Sequence, residues 1–182
     1  MAITDPSSIT PSQKKKLAEI VNDPVKWAQA FLITWNGDKK CNTPWTARWY
    51  QAETIRDDSL KKVYRCGRRT GKTETMVIEA LYQTYKNPNY RVLIITPYIN
   101  QVDLAFKRIS ELVDASPAIK ARVVRQVKNP YQLEFSNHSS ILGFTTGASS
   151  GSGGASIRGQ RADLLILDEV DYMNDADVSS MA

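Results

Sequence analysis

Cysteine and histidine are nearly missing from this chain, and so is any long apolar run. Its 182 residues include two cysteines, Cys41 and Cys66, and one histidine, His138. The cysteines make neither a disulfide framework nor a metal-ligand spacing, which sets a reducing cytosol as the default compartment. His138 stands in the polar turn "SNHSS" and is read as a solvent-facing turn residue, not a ligand. No apolar run approaches membrane-spanning length, and the N-terminus lacks a signal-peptide pattern. There is no internal repeat, and no basic stripe interleaved with aromatics locates a DNA track.

What remains is the composition of an ordinary globular domain. Hydrophobic residues make up 42% and charged residues 24%, and eight tyrosines with four tryptophans argue against wholesale disorder. The length is that of about one domain, enough to bury a real core. A formal net charge of +5 leans mildly toward an anionic partner such as nucleic acid or nucleotide.

Residues 1–10 read as a loose polar tail. "PSQKKKLAEIVN" predicts a helix, and Asp23 with Pro24 opens a second one. On that second helix Trp27, Ala28, Phe31 and Trp35 fall on one face, which "NGDKK" then closes. "TPWTARWYQAETIRDD" reads as a turn and a helix with Trp49, Ala52 and Ile55 inward. "KKVYRC" reads as a short strand and "TETMVIEALYQTYKN" as a helix burying Val77, Ala80, Leu81 and Tyr85. The β-branched run "YRVLIITP" suits a strand buried on both faces. "NQVDLAFKRISELVDAS" puts Val102, Ala105, Phe106, Ile109, Leu112 and Val113 on one stripe, and "ARVVRQV" is a further candidate strand. "YQLEFSNHSSILGFTT" alternates around a turn as a hairpin does. Gly147–Ser156 is a flexible Gly/Ser loop, followed by a buried strand at Leu164–Leu167. Alternating strands and helices imply an α/β fold with a mainly parallel sheet covered by helices. The organisation expected is a tail and helices over 1–44 and the core over 45–182.

Chemistry enters at Gly67–Thr73, "GRRTGKT". A phosphate loop of the form G-x-x-x-x-G-K-S/T would want glycine where Cys66 stands. The first glycine permits a tight turn out of the strand and does not touch catalysis, so Gly67 can supply part of that freedom. Gly71 lets the backbone approach phosphate, Lys72 reaches the β/γ-phosphates, and the Thr73 hydroxyl can ligate Mg²⁺. Alone such a match is weak. It gains force from "LLILDE", where Asp168 and Glu169 end a predicted strand. Asp168 would share the Mg²⁺ with Thr73, and Glu169 would polarise the attacking water.

The register "GRRTGKT" resembles the phosphate loop of one family, the large terminase subunits of tailed phages, ATPases that drive DNA into empty capsids. Three further stretches agree. "ARWYQAETI" resembles the adenine motif, with Gln51 as base reader. "VLIITPYINQVDLAFKRI" is similar to a segment shared with helicases. "SIRGQRADLLILDEVDYM" resembles the block in which an Arg-Gly pair precedes the acid pair. The match covers roughly residues 45–175.

That resemblance implies a P-loop ATPase of the additional-strand, catalytic-glutamate class, using ATP and Mg²⁺. Its ATP-binding residues would be Gln51, Gly67, Arg68, Arg69, Thr70, Gly71, Lys72 and Thr73, with Thr73 and Asp168 holding metal. Glu169, Lys72, Arg68 and Arg158 would carry catalysis: Arg68 as the γ-phosphate sensor in cis, and Arg158 as the arginine offered to a neighbouring subunit. Arg161 is a second candidate for that role. Implied partners are double-stranded DNA, the portal protein, the small terminase subunit and further copies in a ring, with no membrane. The implied place is the host cytoplasm, transiently at the procapsid portal. The coupling strand after the acid pair and the RNase H-like nuclease domain have no counterpart here. The expectation is therefore a truncated ATPase portion without nuclease activity, its sheet incomplete at the C-terminus. A superfamily 2-type helicase, and a non-catalytic nucleotide-binding fragment that docks a partner, remain the alternatives.

Overall fold

The computed structural model describes residues 10–35, 42–146, 159–175 and 178–179. Residues 1–9 of the tail predicted over 1–10, the "NGDKK" closure and the Gly147–Ser156 loop lie outside the described residues, and Thr10 belongs to the cap of the first helix.

Two capped helices open the chain. In α1 (Pro11–Asn22) the Thr10 N–H donates to Gln13 Oε1 at 2.8 Å, and the Gln13 N–H donates to Thr10 Oγ1 at 3.3 Å. That is a capping box with Pro at the first helical position. In α2 (Pro24–Phe31) the Asp23 carboxylate accepts from the Val25 and Lys26 amides at 2.9 and 3.1 Å. The helix buries Trp27 and Ala28. It ends at Phe31, so Trp35 is not on its face: β1 (Ile33–Trp35) pairs antiparallel with β2 (Asn42–Pro44). The helical spacing carried on past the point where the chain turns extended.

The later elements are α3 (Trp49–Arg56), α4 (Lys72–Lys86), β3 (Arg91–Thr96), α5 (Ile99–Ala115), α6 (Pro117–Lys120), β4 (Val123–Lys128), β5 (Tyr131–Phe135), β6 (Ser140–Thr145) and β7 (Leu164–Leu167). A 3₁₀ turn at Val170–Tyr172 follows β7. The main sheet has five strands in the order β4-β5-β6-β3-β7. β3 pairs parallel with β6 and with β7, whereas β4–β5 and β5–β6 are antiparallel. The sheet is thus mixed. Its parallel part is the half that carries the site; the first strand of the predicted hairpin and the candidate strand "ARVVRQV" supply the antiparallel rest.

α4 and α5 cover one face. All six residues of the predicted α5 stripe are buried, packed with Val77, Ala80 and Leu81 of α4 and with Val92 and Ile94 of β3. Trp27, Ala28, Leu32 and Trp45 belong to the same cluster, so the N-terminal helices share the core of the sheet domain. On the other face Leu93, Ile95 and Met173 form a second cluster with Leu142, Phe144, Leu165 and Leu167. α5 sits close on β6 at Gly143, where an added Cβ would lie 2.6 Å from atoms of both Phe106 and Val102.

Three expectations change. Lys61–Cys66 forms no strand. Its pattern suits one, but a strand needs a neighbour to receive its backbone groups, and β7 is the last strand of the sheet. The segment is held through side chains instead: Lys62 Nζ donates to Glu79 Oε1 at 2.8 Å, and the Tyr64 hydroxyl donates to the Thr54 carbonyl at 3.3 Å. Val63 is left 95% exposed. β7 itself is half-buried along its length, as an edge strand is. Trp49, expected inward, is 74% exposed, and α3 buries Gln51 and Ile55 in its place.

Candidate functional site

The loop before α4 has the backbone a phosphate cradle needs. Gly71 is the N-cap of α4 at φ +84°, a left-handed conformation that a side chain opposes. A side chain there would also have to displace the Gln51 amide, since a Cβ would lie 2.7 Å from Gln51 Nε2. Gly67 is different: its nearest neighbour, Thr70 Cγ2, would be 3.7 Å from an added Cβ. The turning freedom expected of Gly67 is taken up by Arg69 at φ +61°. The Thr70 hydroxyl donates to the Gly67 carbonyl at 3.0 Å and closes the loop on itself. Beyond it, the first-turn amides of α4 have no intrahelical acceptor and carry the positive end of the helix dipole.

Facing this turn is the acid pair at the end of β7. Lys72 Nζ lies 2.9 Å from Asp168 Oδ1 and 3.1 Å from Glu169 Oε1. The Asp168 amide donates to the Ile95 carbonyl, which carries the link to β3 one residue past β7. Glu169 then leaves the strand with φ +57°, and its amide donates to Asp168 Oδ1 at 3.0 Å. A non-glycine residue in that region is uncommon and strained, and it turns the Glu169 carboxylate toward Lys72. Burial alone would lower the pKa of Lys72; the two carboxylates outweigh it and hold the ammonium above its ordinary value.

α3 presses on the loop from outside. Gln51 is 6% exposed, its Oε1 accepting from the Arg48 amide at 3.1 Å and its amide nitrogen lying against Gly71. The Tyr50 hydroxyl donates to the Thr70 carbonyl at 3.0 Å, and Arg48 Nη1 donates to that hydroxyl at 2.9 Å. A second group anchors the first turn of α4. Glu74 Oε1 accepts from Trp45 Nε1 at 2.9 Å and from Arg108 Nη2 at 2.7 Å, and Arg108 also reaches Glu111.

The structure thus brings Gln51, Gly71, Lys72, Asp168 and Glu169 to one place, with Thr70 and Thr73 on the same loop and turn. Arg68 and Arg69 are exposed and make no ion pair among the described residues. Arg161 lies before β7, at the opposite end of the strand from Asp168, bound to Asp163 at 2.9 Å. Arg158 lies outside the described residues. Sequence reasoning missed Arg48 and Tyr50, although both sit inside "ARWYQ" beside Gln51. It also missed the Trp45–Glu74–Arg108 contacts, which join residues far apart in the chain and leave no local signal.

No group of three or more His, Cys, Asp or Glu side chains could hold a metal among the described residues. Thr73, in the first turn of α4, and Asp168 carry hard oxygens of the kind that suits Mg²⁺, an ion that keeps several waters and is completed by phosphate. A nucleotide-bound Mg²⁺ needs no larger protein cage.

A glycine-hinged loop entering a helix, with its lysine on an acid pair at the end of a parallel strand, defines a P-loop NTPase fold. The chain belongs to the DEAD/DEAH box helicase family, whose model matches residues 64–181. Among solved structures it is similar to the large terminase ATPase domain of Thermus phage P74-26, with 20% identity and a TM-score of 0.62. That likeness covers 75% of this chain and 61% of that one. A variant of the same domain aligns with 19% identity and the same TM-score, again over 75% of this chain and 61% of the other. The likeness is one of fold, and the chain spans about 61% of the domain it resembles. No curated protein matches it. No helix among the described residues is long and apolar enough to cross a membrane.

Proposed function

We propose that the chain is the ATPase portion of a phage large terminase subunit, coupling Mg²⁺-dependent ATP hydrolysis to translocation of double-stranded DNA into a procapsid. The observation that carries this reading is Lys72 held on Asp168 and Glu169. A phosphate loop facing an acid pair at the C-terminal end of a parallel strand brings those three groups together in this way. In the free protein the two carboxylates neutralise Lys72. Phosphate oxygens arriving in the loop compete for the same ammonium, leaving Asp168 free to hold metal with Thr73 and Glu169 free to orient and deprotonate water.

Mg²⁺, which Thr73 and Asp168 would hold, would supply neutralisation of the phosphate charge. The amides of Gly67–Gly71 would cradle the phosphates, with Arg68 reaching the γ-phosphate in cis and Arg69 beside it. Gln51 would read the base from under the loop, and Arg158 would act on ATP held by the neighbouring subunit of a ring. The working partners are DNA, the portal protein and the small terminase subunit, at the procapsid in the host cytoplasm. Support for a terminase over a helicase comes from "GRRTGKT", from the Arg-Gly pair ahead of "DEVD", and from the fold shared with a terminase ATPase domain.

Lys72→Ala is expected to abolish ATP binding and turnover. Glu169→Gln should keep binding and lower the turnover rate by roughly a hundredfold or more, the scale of a lost general base. Phosphate release measures turnover and calorimetry measures binding. Near-parental turnover in Glu169→Gln would overturn the mechanism. A helicase is the second reading, favoured by the DEAD/DEAH family match. ATP-dependent unwinding of a forked duplex would establish it in place of the first.

A further inference from the structure

We propose that Tyr50, braced by Arg48, is a positioning residue that aims the Gly71 amide at bound phosphate, a role that rests on the nucleotide-binding reading above. A phenol carries one proton and can also accept. Arg48 Nη1 occupies the accepting side at 2.9 Å, so the proton is directed to the Thr70 carbonyl at 3.0 Å. Each of the two bonds orients the other.

The acceptor matters because of the peptide it belongs to. The Thr70 carbonyl and the Gly71 N–H share one planar trans peptide and point in opposite directions. Holding the oxygen toward α3 therefore holds the N–H away from α3, on the side open to a ligand. Glycine rotates easily through both signs of φ, and Gly71 already sits at +84°. Without a restraint this peptide is free to turn over and present its carbonyl oxygen to the phosphates, which would repel them.

Two neighbours make the restraint specific. Gln51, the next residue of α3, packs on Gly71, its Nε2 2.7 Å from where a Cβ would stand. The Thr70 side chain is committed to the Gly67 carbonyl at 3.0 Å and does not compete for the Tyr50 proton. The first turn of α3 thus sets a backbone donor of the loop, while Trp49 beside Tyr50, with its ring centroid 5.6 Å away, stays in solvent.

Tyr50→Phe keeps the ring and removes only the donor. In the full chain, calorimetry is expected to show affinity for ATP and for inorganic tripolyphosphate falling together by about 5–10-fold, the scale of one net hydrogen bond. The melting temperature should fall by no more than about 2–4 °C, the scale of one hydrogen bond in a domain of this size. In steady state the loss should fall on KM, with kcat retained. Arg48→Gln should give a smaller loss in the same direction. In both variants the ¹⁵N–¹H resonance of Gly71 in the free protein should move, because the Thr70 carbonyl of the same peptide loses or loosens its donor; the shared loss for ATP and tripolyphosphate is what a merely structural contact would not produce. Tripolyphosphate affinity within about twofold of the parent, or a Gly71 resonance that does not move, overturns the proposal. Lys72→Ala separates the two levels. If it weakens ATP binding and Tyr50→Phe does not, only the positioning role is lost; if it has no effect, the nucleotide reading falls and this role with it.

Discussion

Two glycines with different reasons mark the residue scale. Gly71 is required by its positive φ and by Gln51; Gly143 is required only by space, since α5 rests on it. Gly143→Ala should therefore destabilise the fold by about 1–3 kcal/mol through overpacking, without touching nucleotide affinity. Urea unfolding would show a lower midpoint with an unchanged slope. The first role was legible in the sequence, because the phosphate-loop pattern names Gly71 along with Lys72 and Thr73. The second was not, because "SILGFT" gives no sign that a helix some forty residues earlier presses on its glycine. Lys72, Asp168 and Glu169 were readable as types at strand and helix ends. That Glu169 turns through a left-handed conformation to face Lys72 is a property of the β7 exit, and no local pattern announces it.

At the scale of elements, helix starts were the most legible features, since caps act over three or four residues. Asp23 shows how much one cap carries. It closes the N-terminus of α2 and also binds Arg56 of α3 at 3.0 Å, so it ties two helices together. Burial alone would raise its pKa, but the Lys26 amide and the Arg56 guanidinium pull it below the ordinary carboxylate value. A carboxyl with a folded pKa below its unfolded one stabilises at neutral pH, and the benefit disappears as pH falls through the depressed pKa. Asp23→Ala should accordingly lose about 1 kcal/mol at neutral pH. It should also lose less further stability than the parent on acidification below about pH 4, the unfolded range of an aspartate. Urea titrations at the two pH values measure both effects. Strands were less legible for the opposite reason: pairing is non-local. "YRVLIITP" formed an interior strand because β6 and β7 flank it, whereas "KKVYRC" has the pattern and pairs with no strand. Trp49 went astray similarly, its inward face being decided by the loop that claims Gln51.

For the whole molecule, the site's position follows from the sheet. Loop, acid pair and the end of β3 all meet at the C-terminal ends of parallel strands, where open α/β sheets bind ligands. The antiparallel half adds breadth and core without entering the site. β7 is an edge of the sheet, and in the segment that leads into the phosphate loop Leu60 and Val63 stand open to solvent. Exposed apolar side chains and unpaired strand backbone both favour association between copies. Light scattering should show concentration-dependent self-association that Val63→Lys reduces, with nucleotide affinity preserved.

β3 is hydrogen-bonded on both sides and β7 on one. Across the few ångströms between those strands, protection against amide hydrogen exchange should drop steeply. The acid pair would then hang from an edge strand that opens more readily than β3, while the phosphate loop's helix stays anchored in the slow-exchanging core. Half of the site would breathe against a fixed half, and a deuterium-uptake time course would show β7 labelling well before β3.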